Sequence, residues 1–248
     1  MTLRYNLNVF KTNRPPMSRG RDVLPRERPT PKAEETRRRI LSAALDLFQE
    51  RGFAETTMRE IARRADVATG AAYYYFPSKE AIVMAFYWQT HIEFDAAFGQ
   101  ALSGKTDLSE RIRALIEAKL EQFLPYREFL GALFRSAGDP ASPLSPFGPA
   151  TREIRDQSIG HFRTALEGAR IQAPPELRDH LPYLLWLYHM GIVLFWIHDR
   201  SARQGRTAIL LAKSSALIAA AIKLSRLVVF RRFRRSVAEL LESMGSRA

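Results

Sequence analysis

The sequence predicts an all-α protein, and three observations carry that prediction. Apolar residues return every three or four positions through most of the 248-residue chain, with no strand-like alternation between them. Helix-start signals stand immediately before several of these stripes. Glycine and proline close the stripes where helices should stop. A chain of this length can bury a core, as one large domain or as two coupled ones. Its 46% hydrophobic and 26% charged residues are ordinary for a globular protein.

Residues 1–31 are rich in Arg, Pro and Asn, lack periodicity and are expected to form a disordered basic arm. Thr30 and Pro31 make a helix start, a capping hydroxyl followed by proline in the first turn. Ile40, Leu41, Ala44, Leu45 and Phe48 form the stripe of that first helix, and Gly52 ends it. Thr57, Met58, Arg59 and Glu60 fit a capping box that opens a short second helix, with Met58, Ile61, Ala62 and Ala65 inward. A tight turn at Asp66 and Val67 leads to a third helix from Thr69 to Tyr75. Pro77 and Ser78 end it and cap a long fourth helix from Lys79 to about Leu102. Asp107 to Glu110 is a second capping box, and its helix carries Leu108, Ile112, Leu115, Ile116 and Phe123 on one side. Pro125 breaks that helix, and 126–137 continues as another. Prolines at 140, 143, 146 and 149 would suit a polyproline II strip but read better as a rigid surface loop. Further helices are expected over about 150–171, 181–198, 206–229 and 232–244.

The formal net charge is +12, and its placement matters more than its sum. Residues 1–31 hold seven Lys/Arg against two acids, and 231–248 hold five against two. A basic chain favours polyanions, whether DNA or an anionic membrane surface. There is no cysteine, which excludes disulfides, thiolate metal sites and cysteine nucleophiles and fits the expected cytoplasmic location. The N-terminus has no apolar run of the kind a secretory signal needs. Of the two most apolar stretches, 181–197 contains Pro182 and His189, and 208–229 contains Lys213, Lys223 and Arg226. Both are expected to be buried helices, with no membrane partner.

Three short helices followed by a long one, with a tight turn between the second and third, are the arrangement of a helix-turn-helix. In it the second helix crosses the DNA backbone and the third meets the major groove. Thr69, Gly70, Ala71 and Ala72 are small enough to let the backbone approach the groove wall. Tyr73, Tyr74 and Tyr75 splay about 100° apart on a helix and cannot all be core. A phenol can donate to a phosphate oxygen while its ring packs on sugar. Lys79 and the free N–H groups at the start of its helix offer a second anion site.

Residues 40–86 resemble the DNA-binding domain of the tetracycline-repressor (TetR) family of transcription regulators. The resemblance is carried by Ala44, Leu47, Phe48, Gly52, Thr56, Thr57, Ile61, Ala62, Ala65, Val67, Gly70, Tyr73, Phe76, Lys79 and Glu80 at fixed spacings. It implies phosphate contacts from Thr57, Tyr73, Tyr75 and Lys79, with Thr69, Gly70, Ala71 and Tyr74 at or near base edges. Phe76 is assigned to core, and Arg37 and Arg38 to solvated surface rather than DNA. Two residues depart from the family's pattern. Asp66 stands where the turn usually has glycine, a place Asp tolerates at some cost. Ala68 stands where serine usually caps the recognition helix, so that helix is expected to start slightly displaced.

The resemblance divides the chain into the basic arm 1–31, a DNA-binding domain 32–78 and a helical regulatory and dimerisation domain 79–248. It implies as partners a double-stranded pseudo-palindromic operator, a second copy of the chain and a small hydrophobic effector. Repression follows from the family's habit, with activation the alternative. No enzymatic activity and no cofactor are expected, since no Gly-rich phosphate loop, catalytic triad spacing or paired carboxylates occur. The dimer is expected on the last two long helices, where Ala208, Ala212, Ala216 and Ala220 make one smooth face and Leu187, Gly191 and Leu194 another. Trp186, His189, Met190 and Val193 share a helix face with one polar handle, and Phe129, Phe134 and Phe162 are candidates for the opposite wall of an effector site. The same stripe is equally the ordinary signature of core. His180, His189 and His198 lie nine apart, and nine residues turn a helix by about 900°, so no metal site is expected. The run Phe230, Arg231, Arg232, Phe233, Arg234 and Arg235 reads as a solvated terminal helix, a membrane-surface patch being the rival.

Overall fold

The structure, a computed structural model, describes residues 30–137, 142–170 and 172–245. These residues form helices α1 (Pro31–Arg51), α2 (Met58–Arg64), α3 (Thr69–Tyr75), α4 (Lys79–Leu102), α5 (Leu108–Phe123) and α6 (Arg127–Ala137). They continue with α7 (Arg152–Glu167), α8 (Pro175–Arg178), α9 (Leu181–His198), α10 (Gly205–Ser225) and α11 (Arg231–Gly245), and no strand occurs among them. The fold is all-α. The expected basic arm lies outside the described residues except for Thr30 and Pro31. Thr30 accepts a hydrogen bond from Ala33 N at 3.3 Å and so caps α1.

The described residues form two compact units, one within Met1–Ile92 and Glu128–Ser145 and the other within Glu93–Arg127 and Pro146–Ala248. These units divide inside α4, at a different place from the expected domain boundary at 78/79. Packing gives the reason. Phe48, wholly buried, lies 5.1 Å from the Phe53 ring and 5.9 Å from Phe129, and Phe86 of α4 meets Phe129 edge-on at 5.1 Å. The first half of α4 and most of α6 thus complete the core begun by α1. The proline-rich segment is not all surface loop either: Leu144 is buried, and Tyr87 Oη donates to its carbonyl at 3.2 Å. Residues 138–141 of that segment lie outside the described residues.

In the second unit, α5, α7, α9 and α10 bury amphipathic faces carrying Ile112, Ile116, Phe162, Trp186, Trp196 and Leu211. Three arginines close helix C-termini, whose last carbonyls have no partner within the helix. Arg111 donates to Lys105 O (2.7 Å) just beyond α4 and to Thr164 O (3.0 Å) and Ala165 O (2.7 Å) of α7. Gly168 is required for that approach, because a Cβ there would sit 2.2 Å from Arg111 Nη2. Arg127 donates to the carbonyls of Trp196, Ile197 and Asp199 at the end of α9. Arg234 donates to the carbonyls of Ser225 and Leu227 at the end of α10 and pairs with Glu176 at 3.2 Å.

Several expectations change here. The helix expected over 150–171 stops at Glu167, and the one over 206–229 stops at Ser225 before a short turn and α11. The terminal basic run is not uniformly solvated, since Arg234 is only 8% exposed and serves as a C-cap. Asp199 starts α10 by accepting from Thr207 N (2.8 Å), Thr207 Oγ1 (2.7 Å), Ser201 N (2.9 Å) and Ser201 Oγ (2.7 Å). Burial would raise its carboxyl, but these hydrogen bonds outweigh it and hold it well below the usual carboxylate range.

Candidate nucleic-acid interface

The interface is built from the ends of short helices. Thr57 opens α2 through a complete capping box: its Oγ1 accepts from Glu60 N (3.3 Å), and Glu60 Oε2 accepts from Thr57 N (2.9 Å). The Thr57 hydroxyl also donates to Glu60 at 2.8 Å, so its internal bonds are made while the residue stays exposed. The α2–α3 turn is a Schellman motif. Val67 N donates to Ala62 O at 3.0 Å and Asp66 N to Arg63 O at 3.2 Å, with Asp66 left-handed at φ 53°. Asp66 thus fills the position that favours glycine. Arg39, reaching across from α1, donates to Asp66 O at 2.8 Å and also to Ala65 O, and its guanidinium lies 3.4 Å from the Asp66 carboxylate. That brace offsets part of the left-handed cost.

Helix α3 begins at Thr69 with Ala68 at the N-cap, extended at φ −63° and ψ 145° and making no side-chain cap bond. The expected displacement is absent; the helix is simply left uncapped. Ala72 and Phe76 are buried and hold α3 to the unit. Thr69 and Gly70 are exposed, and Ala71 is half-buried. A Cβ built on Gly70 would meet nothing within 4 Å. Tyr73 is 50% exposed and Tyr74 84%, whereas Tyr75 is half-buried with its ring 5.3 Å from Tyr74. The three tyrosines therefore split as their angular spread requires. Lys79, expected to face an anion, donates to Phe53 O (2.7 Å) and Ala54 O (3.1 Å) and lies 4.7 Å from the Phe53 ring centre. Its ammonium fastens the α1–α2 loop. Ser78 caps α4 by accepting from Ala81 N at 3.2 Å.

Of the arginines around this face, Arg51 pairs with Glu60 (2.8 Å), Arg64 with Glu50 (2.7 Å) and Arg38 with Glu35, while Arg37 lies 4.7 Å from the Phe76 ring centre. Arg59 and Arg63 make no hydrogen bond or ion pair among the described residues and are exposed, one turn apart on α2. Sequence reading passed them over. Their signal was the four-residue spacing on the helix that crosses the backbone, with Glu60 already committed to Thr57.

The candidate effector residues fall into two groups. Phe129 is core of the first unit and Phe134, half-buried, belongs to the same unit. In the second unit Trp186, His189 and Val193 are buried on one face of α9, with Met190 half-buried, and the His189 ring lies 5.7 Å from Phe162 of α7. Neither ring nitrogen of His189 has a hydrogen-bond partner among the described residues. An unmade bond on a buried polar group costs about 1–3 kcal/mol. Burial, with the nearby Lys119 and His161, pulls its imidazole down to about 3. None of the seven candidate dimer residues is buried: Leu187 and Ala212 are half-buried, and Gly191, Leu194, Ala208, Ala216 and Ala220 are exposed. Beside them Leu217 is 70% exposed and Ile209 59%.

An exposed, uncharged helix following a tight turn, on a unit whose neighbouring helix presents uncommitted arginines, defines a helix-turn-helix regulator. Comparison with known proteins gives the family. The chain matches the family described as "Bacterial regulatory proteins, tetR family" over residues 40–86. It matches the one described as "Tetracyclin repressor-like, C-terminal domain" over residues 111–240. It belongs to the TetR family of transcription regulators, which are not enzymes.

Among curated relatives it is 28% identical over 129 residues to the uncharacterized HTH-type transcriptional regulator YuxN of Bacillus subtilis, covering 51% of this chain and 43% of that protein. It is 31% identical over 91 residues to the HTH-type transcriptional regulator UidR of Escherichia coli, covering 37% and 46%. The chain thus spans less than half the length of these relatives. Among solved structures, a TetR-family regulator from Syntrophomonas wolfei superposes with a TM-score of 0.61 at 21% identity, covering 79% of this chain and 98% of that one. The complex of SmeT with triclosan superposes at 0.54 and 21% identity, covering 74% and 90%. At these identities the likeness is one of fold.

Proposed function

We propose that the chain binds a pseudo-palindromic operator as a cytoplasmic homodimer and represses transcription until a small hydrophobic effector binds its second unit. The observation that carries this reading is α3, whose outer face offers Thr69, Gly70 and Tyr74 to a groove with no charge or bulk at its N-terminal end. In this reading Ala71 also approaches the bases, while Thr57, Tyr73 and Tyr75 meet phosphates. Lys79 shares its ammonium between the loop carbonyls and the DNA. Arg59 and Arg63 add phosphate contacts from α2.

The homodimer is supported by the apolar faces of α9 and α10. Both helices are long and apolar enough to cross a membrane, yet only 44% of Leu181–His198 and 22% of the most apolar 18-residue stretch of Ala202–Ser225 is buried in the protomer. A second copy accounts for that exposure better than a bilayer does, because the opposite faces of the same helices already pack on α7 and α5. An open groove of about 360 Å³ on α10, lined by Ile209, Leu210 and Leu217, belongs to the same surface. A small-molecule effector is supported by the SmeT complex with triclosan, a protein of similar fold.

Footprinting the purified chain on DNA around its own gene, at physiological salt with excess competitor DNA, tests the reading. A protected inverted repeat is the expected result. Protection that competitor abolishes would reduce the interaction to charge alone.

A further inference from the structure

The second unit holds a cluster of titratable groups that DNA binding and dimerisation leave unused. His189 of α9 is 7% exposed, and among the described residues both its ring nitrogens lack a partner. A neutral imidazole carries one N–H donor and one acceptor nitrogen, so the site offers both. Lys119 of α5 sets its ammonium 4.2 Å from the Phe94 ring centre and 4.8 Å from that of Phe123. Its hydrogen bond goes to a neutral oxygen, Gln122 Oε1, at 3.1 Å, and no carboxylate lies within ion-pairing distance of it among the described residues. His161 of α7 adds a second imidazole, held by Asp95 at 3.0 Å, with its ring tilted 4.4 Å from Phe98. The acids facing the cluster are Glu93 and Asp95, both on α4. Asp95 is turned largely to solvent.

We propose that Lys119 and His189 form the head-group site of the effector, and that the effector is a small carboxylic acid with an apolar body. This rests on the reading that the second unit takes a small molecule. A carboxylate accepts from the Lys119 ammonium and from the His189 N–H at once, supplying the bonds that each lacks in the protein. Phe94 and Phe123 beside Lys119, and Phe162 beside His189, give aromatic surface suited to an alkyl or aryl body. A cationic ligand finds the wrong sign here. A neutral ligand satisfies His189 but leaves the lysine on its aromatic rings. Burial lowers Lys119 to about 7, against the opposing pull of Glu93, so near neutral pH a bound anion restores a charge that burial has half removed.

The test is direct binding by the full chain, measured by calorimetry, with hexanoate, decanoate, benzoate and phenylacetate, each beside its primary amide. At least one acid is expected to bind about ten- to a hundredfold more tightly than its amide, the scale of a charge-assisted hydrogen bond. The preference should weaken between pH 6 and pH 9 as Lys119 loses its proton. Lys119→Met and His189→Leu nearly keep the side-chain volume and should each abolish the preference. Amides that bind as well as acids, four acids that all fail to bind, or variants that keep the acid preference would each overturn the assignment. Should a variant fail to fold, the acid–amide comparison on the unaltered chain still decides. Release of DNA by a neutral molecule alone would leave the regulator reading intact and remove this one. Acid binding that leaves operator affinity unchanged would support the site and count against its role as an effector site.

Discussion

Gly70 is a glycine that the fold does not demand. Its Cβ would point into open space, and its φ is not left-handed. Alanine is the better helix former by up to about 1 kcal/mol. Gly70→Ala is therefore expected to raise thermal stability slightly and to weaken operator binding by about tenfold or more, the scale of a lost base contact. Melting curves and fluorescence anisotropy on one preparation would separate the two effects, and unchanged affinity would remove Gly70 from the groove. The smallness of Thr69, Gly70 and Ala71 was legible in the sequence because it is local. The anchoring of Lys79 to Phe53 and Ala54 was not, because nothing in the intervening twenty-five residues marks which carbonyls face the ammonium. Ala68 shows another limit. Sequence reveals that a cap is missing, but only the backbone shows that the helix keeps its start and forgoes the bond.

At the scale of elements, the α2–α3 turn depends on a partner from α1. Arg39 bonds the two carbonyls at the turn, and its hydrogen bonds matter more than its ion pair, because the Asp66 carboxylate is fully exposed. Arg39→Ala is expected to cost about 1–2 kcal/mol and to weaken operator binding without touching DNA. Adding Asp66→Gly, which removes the left-handed penalty, should recover part of that stability. A chemical-denaturation cycle of the two single variants and the double would show the coupling, and strict additivity would deny it. The turn and both its flanking helices could be read from the capping box and the helical stripes. Arg39 could not be singled out among three consecutive arginines, since only the folded crossing of α1 over the turn distinguishes it. The arginine caps of α4, α7, α9 and α10 were hidden for the same reason, each joining residues far apart in the chain.

At the scale of the whole molecule, the proposed dimer joins the exposed faces of α9 and α10. Gly191 lies mid-face on α9, and a Cβ there would meet nothing within 4 Å among the described residues. Gly191→Leu should leave the protomer folded and shift the population from dimer to monomer in analytical ultracentrifugation; a dimer that survives the leucine would place the interface elsewhere. Stability should also climb with pH. His189 falls from 6.5 to about 3 and Lys119 from 10.5 to about 7 on folding, both first through burial. The unfolded chain therefore binds more protons between about 3 and 6.5, and again between about 7 and 10.5. Stability rises with pH through both windows and falls on acidification. His189→Phe should flatten the acid limb of the melting-temperature profile, and an unchanged limb would show that another group dominates it. That the fold is helical throughout was legible from periodicity. Where it divides was not, because Phe86 and Phe129 join the core of the first unit from beyond the expected boundary.

Helix α3 contains no Lys, Arg, Asp or Glu. Counterions released from DNA on binding are counted by cations alone, each neutralised phosphate adding about 0.9 to the slope of log affinity against log salt. The recognition helix itself is therefore silent in that slope, and the flanking cations set it. Arg59→Ala should reduce the slope by about one, whereas Tyr73→Phe should lower affinity equally at every salt concentration. A salt titration thus reads the number of phosphates this regulator grips separately from the sequence it recognises.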